Sequence, residues 1–167
     1  MINPSLTMYY FEPNGYIPNH PSLPALHYKQ AVDSKEKDLE SIFQKNGWTN
    51  TWRGGIYAFH HYHSNTHEVL GVGNGSGLLM IGGEGGSKIL VNTGDVLILP
   101  AGTGHKSISV SPDFEVVGAY PNGVDYNMKK DAKEDSEEVE EDILHVDFPE
   151  LDPIYGKDGP LFKLWKR

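Results

Sequence analysis

Histidines and carboxylates are the side chains in this sequence whose spacing suggests chemistry. His60-His61-Tyr62-His63 sits in an apolar-polar run that reads as a β-strand. Side chains on a strand alternate faces, so His61 and His63 share one face and their imidazoles can converge on one point. Tyr57 and Phe59 fall on the same face, while His60 and Tyr62 point the other way. After the polar turn Ser64-Asn65-Thr66 the chain returns with His67 and Glu68. A tight hairpin would bring one of these two beside the histidines. Alternation lets only one of them reach, so His67 and Glu68 are competitors. A further imidazole, His105, opens another strand after the loop Pro100-Ala101-Gly102-Thr103-Gly104.

The chain has no cysteine, so any metal must be held by His, carboxylate or backbone oxygen. Imidazoles with a carboxylate suit a divalent transition metal such as Fe, Ni, Mn or Zn. Such a shell leaves coordination positions open for a small molecule.

Seven short runs surround these residues: Ile56 to His63, Glu68 to Gly73, Gly77 to Ile81, Lys88 to Val91, Val96 to Leu99, His105 to Val110 and Phe114 to Tyr120. Close spacing and intervening turn residues predict a sandwich or barrel with its core over 55–120. No helical pattern interrupts them, so parallel βαβ units are not expected. The dense glycines from Gly71 to Gly86 read as turns. They contain neither GxGxxG nor GK[ST], and so form no phosphate loop.

Residues 1–30 read as an extended, aromatic-bearing arm with turns near Pro13-Asn14-Gly15 and Pro18 to Pro24. A helix is predicted over 33–46, capped by Asp33 with Glu36 three positions on. It buries Leu39, Ile42 and Phe43 and stops at Asn46-Gly47. Residues 121–142 read as an acidic surface segment, a loop or solvated helix. Residues 143–167 regain apolar character and are expected to pack on the barrel. The whole chain, 1–167, reads as one domain. Trp48, Trp52 and Trp165 read as core or dimer-interface residues.

The net charge is −9, and the stretch from Lys129 to Asp142 supplies −5 of it through eight acidic residues against three lysines. A broad phosphate-neutralising face is absent, so nucleic acid is not an expected partner. The first ten residues lack the basic cluster and apolar run of a signal peptide, and no stretch is apolar enough to span a bilayer. A cytoplasmic location and no membrane partner are the expectations.

At the histidines the sequence resembles the cupin superfamily. The first cupin motif, G-x5-H-x-H-x4-E-x6-G, is matched at every spacing by Gly55, His61, His63, Glu68 and Gly75. The second, G-x5-P-x-G-x2-H-x3-N, is matched by Gly94, Pro100, Gly102 and His105, with Ser109 in place of the final Asn. Stretches such as His61-Tyr-His-Ser, Gly94-Asp-Val-Leu and Asp158-Gly-Pro-Leu are similar to the YjlB-like bacterial cupins, a group with no reaction attached.

The resemblance implies an all-β fold: a conical jelly-roll barrel of two antiparallel sheets, open at one end with a metal inside the mouth. It also implies that His61, His63, Glu68 and His105 are the ligands, which brings His105 to the others and favours Glu68 over His67. The expected function is then binding of, or action on, a small molecule. As an enzyme the protein would be a metal-dependent dioxygenase or an isomerase or lyase. The alternative is a sensor in which the metal orients a ligand or is structural. No general base stands out, although Tyr57 and Tyr120 are candidates. A homodimer joined through the aromatic arm is the expected assembly.

Overall fold

The computed structural model describes residues 5–33 and 38–166. In chain order the elements are β1 (Ser5–Tyr9), β2 (Ala25–Lys29), α1 (Leu39–Lys45), β3 (Trp48–Gly54), β4 (His61–Tyr62), β5 (Glu68–Asn74) and β6 (Ser76–Ile81). There follow β7 (Ser87–Asn92), β8 (Val96–Leu99), β9 (His105–Val110), β10 (Glu115–Pro121), β11 (Lys129–Lys130), a 3-10 turn (Lys133–Asp135), α2 (Val139–Leu144) and α3 (Leu161–Leu164). They form two antiparallel sheets. One has six strands in the order β1-β2-β8-β5-β10-β3, and the other has five in the order β11-β4-β9-β6-β7. The architecture is a two-sheet antiparallel jelly roll, as the resemblance implies.

Strand alternation builds the core between the sheets. Leu70 and Val72 on β5, Leu97 and Leu99 on β8, and Val116 on β10 face Leu79, Ile81, Ile89 and Val91 from the other sheet. The intervening residues of the six-stranded sheet are buried as well. Leu26, Val69, Ile98 and Val117 point outward into a second cluster, under Phe43 of α1 and under Leu161 and Trp165 near the C-terminus. A sheet covered on both faces reads as continuous apolar runs, which accounts for the wholly buried Val96–Leu99. Gly71 is required where α1 presses on β5, since a Cβ there would meet the Phe43 ring at 2.9 Å and Leu39 at 3.1 Å. A third cluster places Tyr62 against Ile143 and Val139, the buried i, i+4 pair of α2.

Several expectations change. Residues 5–9 and 25–29 of the presumed arm are strands of the chain's own sheet, paired in register from Ser5↔Lys29 to Tyr9↔Ala25. The helix begins at Leu39, and Asp38 caps it by accepting from the Glu40 amide at 3.1 Å. Asp33 is not its cap, and Glu36 lies outside the described residues. The run Ile56 to His63 shortens to His61–Tyr62, because residues 55–60 leave the ladder. Between 121 and 142 the chain is more than a surface segment: β11 pairs with β4, and Val139 is buried. Among the described residues no helix is long and apolar enough to cross a membrane.

Candidate metal site

β4 and β5 are not a hairpin. β4 pairs with β9 and β11, whereas β5 pairs with β8 and β10 in the other sheet. The link 63–67 therefore crosses from one sheet to the other, and Glu68 faces the histidines across the barrel. His61 stands directly opposite His105 in the β4–β9 register, with ring centroids 4.1 Å apart. Sequence spacing cannot supply that neighbour, because it comes from pairing across more than forty positions.

His63, Glu68 and His105 each present a ligand atom, and these atoms lie within 4.8 Å of one another. Glu68 Oε1 is 3.3 Å from His63 Nε2 and 3.2 Å from His105 Nε2. His61 is not within that tight trio, but it lines the same cavity and is itself buried. His67 goes elsewhere. Its Nδ1 accepts from the Ala101 amide at 2.9 Å, and its ring meets the Trp165 edge at 4.7 Å on the outer side of β5. Of the two competitors, Glu68 faces the histidines.

The donor set fits a divalent cation on two observations. Each imidazole has Nδ1 within hydrogen-bond distance of a backbone carbonyl: His61 with Phe59 at 3.0 Å, His63 with Asn127 at 2.5 Å and His105 with Thr103 at 3.0 Å. Those carbonyls can only accept, so each Nδ1 carries its proton, and in the neutral imidazole Nε2 is left with a lone pair. Backbone anchoring of this kind orients imidazole ligands in metal centres. The second observation is Glu68 Oε1, fully buried and without a hydrogen-bond partner although two Nε2 atoms flank it. A carboxylate oxygen facing two lone pairs is repulsive unless a cation or a proton lies between them.

The titration tendencies follow from this crowding. Burial and the neighbouring His105 hold His61 down to about 3, so it stays neutral. Burial alone would lower His63, but the Glu68 carboxylate outweighs it and the net shift is upward. Burial would raise Glu68, yet His63 and His105 pull it well below the usual carboxylate range.

Glu68 Oε2 has its own support. It accepts from the Tyr120 hydroxyl at 2.8 Å, and Trp52 Nε1 donates to that hydroxyl at 2.8 Å. Burial and the adjacent Glu68 raise the Tyr120 phenol, so its proton stays on the Glu68 bond and Tyr120 is a poor candidate base. Gly118 makes room for this chain, since a Cβ there would meet the Trp52 ring at 2.3 Å. Trp52 is thus a wall of the site, and only Trp48 and Trp165 are plain core. Tyr57 lines the mouth at 54% exposure and stacks on Phe59, which lies outside the cavity. Neither ring is in the barrel interior.

Sequence reasoning misses Trp52 as a wall, and also Tyr126, Met128 and the Asn127 clamp. Asn127 exchanges hydrogen bonds with Ser64, donating to its hydroxyl at 2.8 Å and accepting from its amide at 2.9 Å. No local pattern marks these residues: Trp52 lies on β3, and Tyr126, Asn127 and Met128 belong to a polar stretch brought over the mouth by β11.

This fold and donor cluster define a cupin barrel, and the comparisons agree. The Cupin family model matches residues 48–129. The chain belongs to the cupin family, within its YjlB-like group. It is 45% identical over 158 residues to "Uncharacterized protein YjlB" of Bacillus subtilis (strain 168), covering 94% of each chain. Solved structures are more distant. Procruciferin, an 11S globulin from Brassica napus, has a TM-score of 0.41 at 17% identity, over 70% of this chain and 25% of that one. Acireductone dioxygenase from Bacillus anthracis, with a cadmium ion in its active centre, has a TM-score of 0.37 at 20% identity, over 57% of this chain and 61% of that one. Neither likeness carries chemistry to this site.

Proposed function

We propose that the protein is a mononuclear metal-dependent enzyme acting on a small molecule, with His61, His63, Glu68 and His105 holding one divalent ion. The observation that carries this reading is Glu68 Oε1, buried and unpartnered between two imidazole nitrogens. When bound, the ion would supply Lewis-acid polarisation of a carbonyl or enediol, or oxygen chemistry if it is iron. The chain's own residues do the rest. Three backbone carbonyls keep the Nε2 atoms turned inward, and Tyr120, itself bonded by Trp52, holds the Glu68 carboxylate. Isomerase, lyase and dioxygenase chemistry all suit this arrangement. A second reading, a sensor whose ion only orients a ligand, shares the same ligands and differs in releasing the bound compound unchanged.

Elemental analysis of protein purified from metal-replete cells tests the site. About one equivalent of a transition metal is expected for the wild type, and much less for His61→Ala. A wild type without stoichiometric metal would remove the reading. The assembly is taken as a homodimer formed through the N-terminal segment, where Met8 on β1 and Tyr10 and Tyr16 in the connection to β2 are exposed. Light scattering is expected to give twice the 18.6 kDa chain mass, and a monomeric mass would count against it.

A further inference from the structure

The cavity over the candidate metal site is unusual in which charges it lacks. It has a volume of about 310 Å³. Among the described residues, its only ionisable lining groups apart from tyrosines are His61, His63, His105 and Glu68, and no lysine, arginine or aspartate lines it. The remaining wall is aromatic and apolar: Trp52, Tyr57 and Tyr126 with Ile56, Leu70 and Met128.

The nearby cations are engaged elsewhere. The Arg53 guanidinium bonds Glu115 at 3.0 Å on the outside of the sheet. Lys130 lies 5.0 Å over the outer Phe59 ring, in a separate depression shared with Lys106.

Charge balance then selects the ligand. A divalent ion beside one carboxylate leaves a net charge of +1, with no further cation in the wall. One singly charged oxygen group neutralises that centre. A phosphate dianion would leave an uncompensated negative charge against apolar walls, and buried unpaired charge is strongly disfavoured. Size points the same way. The volume lies near the lower end for small-molecule pockets, roughly 300–1,000 Å³, and suits a single substituted ring. Aromatic walls favour a ring-bearing ligand by offset or edge-to-face contact. Tyr57 is placed for that role: it is exposed at the mouth, and its ring centroid lies 5.4 Å from that of His61.

We infer that the site takes a small aromatic or otherwise apolar compound bearing one anionic oxygen group, and that it rejects phosphorylated ligands. This rests on the metal reading of the same site. The test titrates the zinc-loaded protein calorimetrically with benzoate, phenyl phosphate and inorganic phosphate, with metal content measured on the same samples. Benzoate is expected to bind at least tenfold more tightly than either phosphate. Tyr57→Ala is expected to weaken benzoate about tenfold through the lost ring contact while zinc content is unchanged. Met128→Lys puts a cation on the wall at a half-exposed position, and it is expected to strengthen phenyl phosphate about tenfold.

Phosphates that bind as well as benzoate, no binding by any probe to protein carrying zinc, or benzoate affinity unchanged in Tyr57→Ala would each overturn the inference and leave the metal reading standing. Protein that takes up no zinc would remove both, and the metal measurement identifies that case.

Discussion

Glu68→Gln is expected to lose metal affinity by on the order of 100-fold or more while the metal-free protein stays as stable as the wild type. Outer-sphere partners of a metal ligand alone are worth about 10- to 100-fold, so loss of a charged ligand should exceed that range. The stability argument runs the other way. In the metal-free wild type a buried carboxylate oxygen lacks a hydrogen bond between His63 and His105. A Gln side chain of the same shape can still accept from Tyr120 through its oxygen. Its amide nitrogen can then donate to the Nε2 lone pairs, turning a site that needs a cation into one that satisfies itself. Tyr120→Phe removes the bond to Glu68 Oε2 and leaves Trp52 Nε1 without its acceptor, so a smaller affinity loss of about 10-fold is expected. His67→Ala should leave metal content intact, because its ring lies on the outer side of β5 against Trp165. Competition titration with a chromophoric chelator, paired with thermal melts of the metal-free forms, checks the series. Metal loss in His67→Ala with retention in Glu68→Gln would reverse the ligand assignment.

How much of this could be read from the residues depends on how local each signal is. The strands from β5 to β10 alternate or run apolar between turn residues, so local pattern places them well. β2 and β3 escape because their inward residues include His27 and Trp52 and their flanks carry prolines or glycines. Their strand state is imposed by pairing with β8 and β10. The opposite error occurs before His61. Alternation extends that strand back to Ile56, but residues 55–60 are tethered to β9 only through bonds such as the Ser107 amide to the Tyr57 carbonyl at 2.9 Å. Tyr57 and Phe59 thus move from the expected interior to the mouth and the outside.

The candidate site divides in the same way. His61 and His63 are legible as neighbours, because two residues on one strand face together. The choice of Glu68 over His67 is open on local grounds, and the motif resemblance decides it. The structure gives the physical reason: the chain crosses between sheets there, and β5 turns Glu68 inward and His67 out. Tyr120, Trp52 and Asn127 support the donors from three separate parts of the chain, and nothing in their own neighbourhoods announces it.

Trp165→Ala is expected to destabilise the fold by about 4 kcal/mol, because removing a buried Trp costs about 3–5 kcal/mol and leaves a partner unpaired. Trp165 is 2% exposed. Its indole nitrogen donates to the Pro24 carbonyl at 2.9 Å, and its ring packs on His67 and Phe148. It joins the C-terminal segment to the outer face of the six-stranded sheet. That segment is also held by Asp152, which accepts from Tyr28 at 2.6 Å and from the amides of Ile154 and Tyr155. For a chain of this size the loss corresponds to a fall in Tm of roughly 8–16 °C. Leu144→Ala, at a position 62% exposed, is the control and should change Tm little. A Trp165→Ala shift no larger than that control would mean the C-terminal segment is not seated on the sheet. Metal should separate this effect from those at the site. An ion that binds only the folded state adds stability according to its affinity and concentration. Trp165 touches none of the four donors, so Trp165→Ala should melt lower by a similar margin with and without metal. Glu68→Gln should instead match the wild type without metal and fall behind it only when metal is added.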